Sequence, residues 1–260
     1  VDLFGLMQNQ VGLFLLIFAR VSGIFSTAPI FGSRNVPAYL KAGMSLLFSF
    51  LLLPLVRPPA QPIPDVLFAY VIAVVEEFLL GLIFGFASSL VFQAVQAAGT
   101  LLDMQIGFGM VNVIDPQSSQ QLPLLGNFKY ILALLVFLAI NGHHVLITAL
   151  FSSFKLIPPL ETVFRVSMSD QIVDMVGEFF VIAVKISLPV LAAVYLTDVA
   201  LGILARTMPQ MNIFVVGIPV KIAVGLFVLS LAIPFYVVFL EVVFNGMYRD
   251  VYHLLAVFAP

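Results

Sequence analysis

Apolar residues along this chain come in long blocks rather than in the alternation of a half-buried strand. Six blocks stand out, covering about residues 3–28, 38–56, 66–106, 122–140, 170–205 and 213–258. Each predicts a helix, and each is bounded by Pro, Gly or polar punctuation. Pro29, Gly32, Ser33, Arg34, Asn35 and Pro37 form the first turn. The second connection, residues 57–65, holds Pro58, Pro59, Pro62 and Pro64, and such a run cannot continue a helix. The fourth block is as long as a hydrocarbon core is thick, about 28 Å at 1.5 Å per residue. Asn141-Gly142-His143-His144 is expected to break it before a shorter apolar stretch, residues 145–157. Pro158-Pro159 then opens a polar connection. Pro189 lies inside the fifth block, and Pro219 and Pro234 are read as interruptions of the sixth. The expected fold is all-α: a polytopic, membrane-associated chain of bent helical hairpins. With no linker separating two domains, residues 1–260 read as one helical unit.

Composition strengthens that reading. Apolar residues make up 62% of the 260 and charged residues only 9%, against roughly 25% charged in a soluble domain. Mean hydropathy is +1.16. A compact soluble body of this size cannot hide so much apolar surface. The 11 basic and 13 acidic residues leave a net charge of −2, which also excludes a nucleic-acid binder held by phosphate contacts. The natural neighbours are lipid and other apolar subunits. Cysteine is absent, and with it go disulfides, thiolate metal sites and thiol nucleophiles. The first apolar run is not expected to be a cleavable leader, because it carries Asp2 rather than a basic opening and Arg20 within it. Loop charges do not orient the chain. If six blocks are six crossings, Arg34, Lys41, Lys129 and Arg206 fall on one side and Arg57, Lys155, Arg165 and Arg249 on the other.

Ionisable residues inside the apolar blocks are the first candidates for function: Arg20, Glu76, Glu77, Asp103, Lys185, Asp198, Lys221 and Glu241. A charge at bilayer depth costs on the order of 3 kcal/mol, so each is expected to meet a partner, a cavity or water. They read either as an ion or substrate path or as buried pairs and partner-facing groups. Glu178 and Lys185, seven residues apart, share a helix face and are within reach of an intrachain pair. Gly81-x-x-x-Gly85 is a small-residue seam that admits a closely packed helix, from the same chain or from a partner.

His143 and His144 are adjacent, so on a helix they point about 100° apart, which is poor geometry for one metal. His143 is expected at a helix end, as a cap or an interfacial hydrogen-bonding group. No phosphate loop, serine-triad signature or dinucleotide fingerprint occurs. Neither a cofactor, a metal nor an enzymatic activity is expected. The least ordinary stretch is residues 107–121. It opens Gly107, Phe108, Gly109, Met110, Val111, Asn112, Val113, Ile114, with no charge before Asp115-Pro116. Apolar irregular backbone is tolerated at membrane depth only when it is packed in protein or lines a cavity. It reads either as a packed connection or as a displaceable seal, with Gly at its ends and adaptable Met and bulky Phe inside.

A co-linear set of strings resembles a known family. They are Arg20-x-x-Gly23 with Ala28-Pro29 and Val36-Pro37-x-x-x-Lys41; Gly99-x-x-x-Asp103-x-Gln105-x-Gly107 leading to Asp115-Pro116; Asn141-Gly142-His143; Pro189 followed by Asp198-x-x-Leu201-Gly202-x-x-x-Arg206-x-x-Pro209-Gln210-x-Asn212-x-Phe214; and Gly217-x-Pro219 with Lys221. Over about residues 15–235 their order and spacing are similar to those of the FliR/SctT family of type III secretion export-gate subunits. The last 25 residues or so carry little of the resemblance. The resemblance implies a non-enzymatic core subunit of the flagellar export gate in the bacterial inner membrane, at the flagellar basal body. It implies assembly with FliP-like and FliQ-like subunits into a helical channel for unfolded rod, hook and filament proteins. It further implies FlhB-like and FlhA-like components nearby, and a channel plug at Gly107 to Ile114. The strings look closer to the flagellar branch than to the injectisome branch, whose SctT-type subunit is the alternative. A small-solute secondary transporter and a membrane scaffold without a conduit are the remaining readings. A transporter is expected to carry an internal repeat, and only Pro37-x-x-x-Lys41 against Pro219-x-Lys221 hints at one.

Overall fold

The computed structural model describes residues 3–33, 35–64, 66–108, 123–163, 167–210 and 212–259. Among them are seven helices: α1 (Leu3–Thr27), α2 (Ala38–Leu52), α3 (Leu67–Ile106), α4 (Leu124–Ala139), α5 (Gly142–Leu156), α6 (Ser167–Thr207) and α7 (Ile213–Phe258). The described residues contain no strand. Four helices contain stretches long and apolar enough to cross a bilayer: Asn9–Thr27 of α1, α3, Met168–Thr207 of α6 and Val215–Phe258 of α7. The broken pair α4 and α5 makes a fifth if it is one span. The second apolar block yields a helix of only 15 residues, about 22 Å long and short of a 30 Å core. Leu53–Val56 curls into a turn instead, with the Val56 N–H donating to the Leu52 carbonyl at 3.0 Å.

Helix ends follow local chemistry. Pro37 (φ −58°) precedes α2 and Pro123 (φ −63°) precedes α4, where a missing N–H costs nothing. Asn141 takes the left-handed conformation (φ 58°) between α4 and α5, a backbone state Asn tolerates better than most residues. The chain therefore breaks at the Asn-Gly step, and His144 and Val145 donate to the Asn141 carbonyl. Pro189 lies inside its helix as the sequence places it, whereas Pro219 and Pro234 do not interrupt theirs. α6 runs unbroken through Pro189, and α7 through Pro219 and Pro234. Each proline removes one hydrogen bond. In an apolar setting the remaining backbone groups have no water to turn to, so the helix is kept.

The chain forms two compact units. One comprises Val1–Leu90, Asn141–Val176 and Asn245–Pro260, the other Val91–Ile140 and Gly177–Phe244. The first has a core of Ile17, Val21, Phe25, Leu52, Val56, Leu150 and Phe154. Phe25 meets Phe31 and Phe48 edge-on, with centroids at 4.8 and 5.3 Å. Packing of α1 on α3 brings backbones together. A Cβ on Gly81 would strike the Arg20 carbonyl, one on Gly85 would meet Thr27 Oγ1 and the Ile24 carbonyl, and one on Gly23 would reach the Phe78 carbonyl. Without a hydrophobic drive between helices in lipid, such close approach is what holds them. The second unit has a core of Leu102, Ile106, Leu125, Val190, Val194 and Leu229. It also holds a triangle of Phe92, Phe137 and Phe244 with centroids 5.2–5.3 Å apart.

Candidate functional site: a clamped loop and buried charges

The C-terminal end of α3 and the start of α4 are tied by one carboxylate. Asp103, 5% exposed, accepts from the Leu125 N–H at 3.0 and 3.1 Å and from the Gly126 N–H at 3.2 Å. It thus satisfies two donors that a helix N-terminus leaves open, and its charge faces the positive end of α4. One turn earlier, Gly99 lies against Gly126, so that a side chain at Gly99 would strike the α4 backbone and force the helices apart. This clamp fixes where the connection of residues 107–122 leaves and returns. Gly107 has φ +105°, a conformation that favours glycine. Phe108 packs on the core of Leu102, Ile106 and Leu229. Gly109, Met110, Val111, Asn112, Val113 and Ile114 lie outside the described residues.

A second polar centre is fully buried, with only Arg20 Nη2 left without a hydrogen-bond partner in it. Arg20, fully buried on α1, donates through Nε to Glu77 of α3 at 2.6 Å. Its Nη1 donates to the carbonyls of Ser153 (3.1 Å) and Ile157 (2.8 Å), at the end of α5. The guanidinium carbon sits 4.4 Å from the Phe154 ring centroid. Glu77 in turn accepts from the Leu160 N–H at 3.2 Å, and Leu160 itself is left-handed (φ 69°). One guanidinium therefore collects α1, α3, α5 and the turn that follows.

The other charges are placed less deeply. Glu76 is exposed although Glu77 is only 2% exposed, because adjacent helix residues point about 100° apart. Lys185 and Glu241 are also exposed. Asp198 and Lys221 pair with each other across α6 and α7 at partial exposure. No ion pair joins Glu178 to Lys185 among the described residues; both stand exposed on α6. The His143 ring lies tilted at 47° against that of His144, with centroids 4.2 Å apart, and its Nδ1 is buried without a hydrogen-bond partner. No group of three metal-ligating side chains exists among the described residues.

The profile of the bacterial export proteins, family 1, matches residues 11–247. The chain belongs to that family. The flagellar biosynthetic protein FliR of Bacillus subtilis (strain 168) is 39% identical over 249 residues, covering 94% of this chain and 94% of that protein. FliR of Pectobacterium carotovorum is 31% identical, with 96% and 94% covered. FliR of Escherichia coli (strain K12) is 30% identical, with 95% and 93% covered. The matched span of this export family contains both polar centres.

One functional candidate in this family member escaped the sequence reading. Lys129, counted there as a loop charge, lies in α4 and is 3% exposed. Its ammonium donates to the Ile186 carbonyl at 3.3 Å and lies 5.0 Å from the Tyr236 ring centroid. The Tyr236 hydroxyl donates to the Lys129 carbonyl at 3.1 Å. The signal was present: Lys129 stands inside an apolar run, seven residues into the fourth block.

Proposed function

We propose that this chain is a non-enzymatic core subunit of the flagellar type III protein export gate, embedded in the bacterial inner membrane at the basal body. In this reading it forms part of a channel for unfolded rod, hook and filament proteins. The observation that carries the proposal is the near full-length likeness to proteins named for flagellar biosynthesis, with 94% of both chains covered. That naming also favours flagellar over injectisome use. All 260 residues act as one export-gate domain. The exposed apolar side chains, Phe68, Phe227 and Phe235 among them at 65–79% exposure, are surfaces for FliP-like and FliQ-like subunits and for membrane lipid. FlhB-like and FlhA-like components complete the apparatus.

Within the same proposal, Gly107 to Ile114 is the plug. A channel wide enough for an unfolded chain needs a resting seal, and an apolar constriction blocks ions by excluding water. The Asp103 clamp supports this role because it ties together the helix ends between which the segment lies. The test of the function is motility rescue of a strain whose own relative is deleted. Swimming restored by the chain supports it; a chain that inserts stably yet restores no filament export sinks it. The test of the plug is planar-bilayer conductance of the assembled complex, with and without residues 109–113. Raised leakage in the deletion supports the seal. Equal, negligible conductance removes this segment from that role.

A further inference from the structure

In the second unit, α4, α6 and α7 enclose a groove of about 480 Å³. Its walls are apolar, with Phe128, Leu231 and Phe235 at the rim. Its lining includes two cations, Lys129 and Lys185, and no carboxylate. Lys129 is almost fully buried, and its ammonium has one carbonyl and one ring as company. Among the described residues no acidic side chain reaches either lysine. This contrasts with Arg20, whose charge is answered from within the chain. A buried ammonium left without an anion costs several kcal/mol, so an anion from outside the chain has a place here.

The size of the groove narrows what brings that anion. A helix is about 10 Å across, so three turns of one displace well over a thousand Å³. At about 480 Å³ the groove is smaller than that and of a size for a single acyl chain. A lining that carries two lysines, Lys129 and Lys185, and continues as apolar residues along Val228 to Phe239 matches a phosphate head with one acyl chain. Basic pockets between membrane helices commonly hold such heads. We propose that this groove is a binding site for an anionic phospholipid, its phosphate on Lys129 and Lys185 and an acyl chain along α7. The proposal stands apart from the export reading and survives its failure.

The experiment uses the full chain extracted in mild detergent. The preparation is delipidated and offered phosphatidylglycerol and phosphatidylcholine of equal acyl length, and native mass spectrometry counts bound lipid. Phosphatidylglycerol is expected to be retained preferentially, with each lysine lost lowering it by roughly fivefold. Lys185→Gln carries that test, since an exposed position folds whatever happens at Lys129→Gln. Ala232→Phe fills the trough without touching charge and is expected to remove the lipid as well. Equal retention of both lipids overturns the proposal, as does phosphatidylglycerol unmoved by Lys185→Gln and Ala232→Phe. Competition by inorganic phosphate at equal concentration would mark a free-anion site and overturn the lipid. Crosslinking of Phe235→Cys to a partner helix in place of lipid would do the same.

Discussion

Arg20 and Lys129 are both buried cations on apolar helices, yet the chain treats them in opposite ways. Arg20 meets a carboxylate, two carbonyls and a ring, all from its own unit. Lys129 meets one carbonyl and one ring, and no carboxylate. A planar guanidinium has donors for several acceptors at once and is suited to a closed internal node. An ammonium is a point charge on a flexible stem, suited to meeting something that arrives. The lesson is that burial alone does not say what a membrane charge is for; the origin of its counter-charge does. A counter-charge from the chain marks architecture, and a missing one marks a surface awaiting company.

The largest effect that would break this contrast is at the closed node. Arg20→Met strands Glu77 in a dry site, and removing one partner of a buried pair costs about 3–5 kcal/mol. The measurement is thermal aggregation of the detergent-extracted complex. A loss of stability no greater than that of a surface substitution would show that the node is wetter than its burial implies. Adding Glu77→Leu to Arg20→Met is expected to recover much of the loss, since the stranded charge is gone. Arg20→Lys is expected to recover little, because an ammonium cannot serve both Glu77 and the α5 carbonyls.

Next in size is Gly81→Leu. It pushes α1 away from α3 at the Arg20 carbonyl, and overpacking costs about 1–3 kcal/mol or more where backbone is the neighbour. Protease resistance of the α1–α3 pair reads it, and normal complex yield with unchanged resistance would refute the close approach. Asp103→Ala sharpens the comparison from a third direction, because its counter-charge is a helix end. Loss of such a cap costs about 0.5–2 kcal/mol, detected as faster hydrogen exchange at Leu125 and Gly126. The smallest effect is Asp198→Asn at the partly exposed pair with Lys221, expected at about 0–1 kcal/mol in the same thermal assay.

Much of the helical layout was legible because apolar block length and punctuation are strong signals. Block ends at Thr27, Ile106 and Phe258 fall where Pro, Gly or the end of the apolar run dictate. The prolines of the last block were over-read: Pro219 and Pro234 each remove one hydrogen bond, and that penalty is smaller than the cost of opening backbone where water is scarce. Depth was the least legible quantity. Glu76 and Glu77 look alike in a linear string, and only the helix phase relative to α1 separates them. The partners of Arg20 were unreadable for a different reason, as two of them are main-chain carbonyls that any sequence provides. Lys129 was missed because a charge near the start of a block resembles a loop charge until the helix is seen to begin at Leu124.

The Arg20 node also sets a schedule for biosynthesis. Glu77 lies 57 positions after Arg20, and the Ile157 carbonyl 137 positions after it. A ribosome adding about 5–20 residues per second leaves the guanidinium waiting roughly 3–11 s for its carboxylate and 7–27 s for its last carbonyl. During that interval α1 is a nascent apolar segment with one unanswered charge, costing on the order of 3 kcal/mol to place at mid-bilayer. Reaching toward an interface lowers that cost until α3 and α5 have been made. The order of synthesis is thereby written into the fold, and the residue that closes the first unit is also the one that delays its closing.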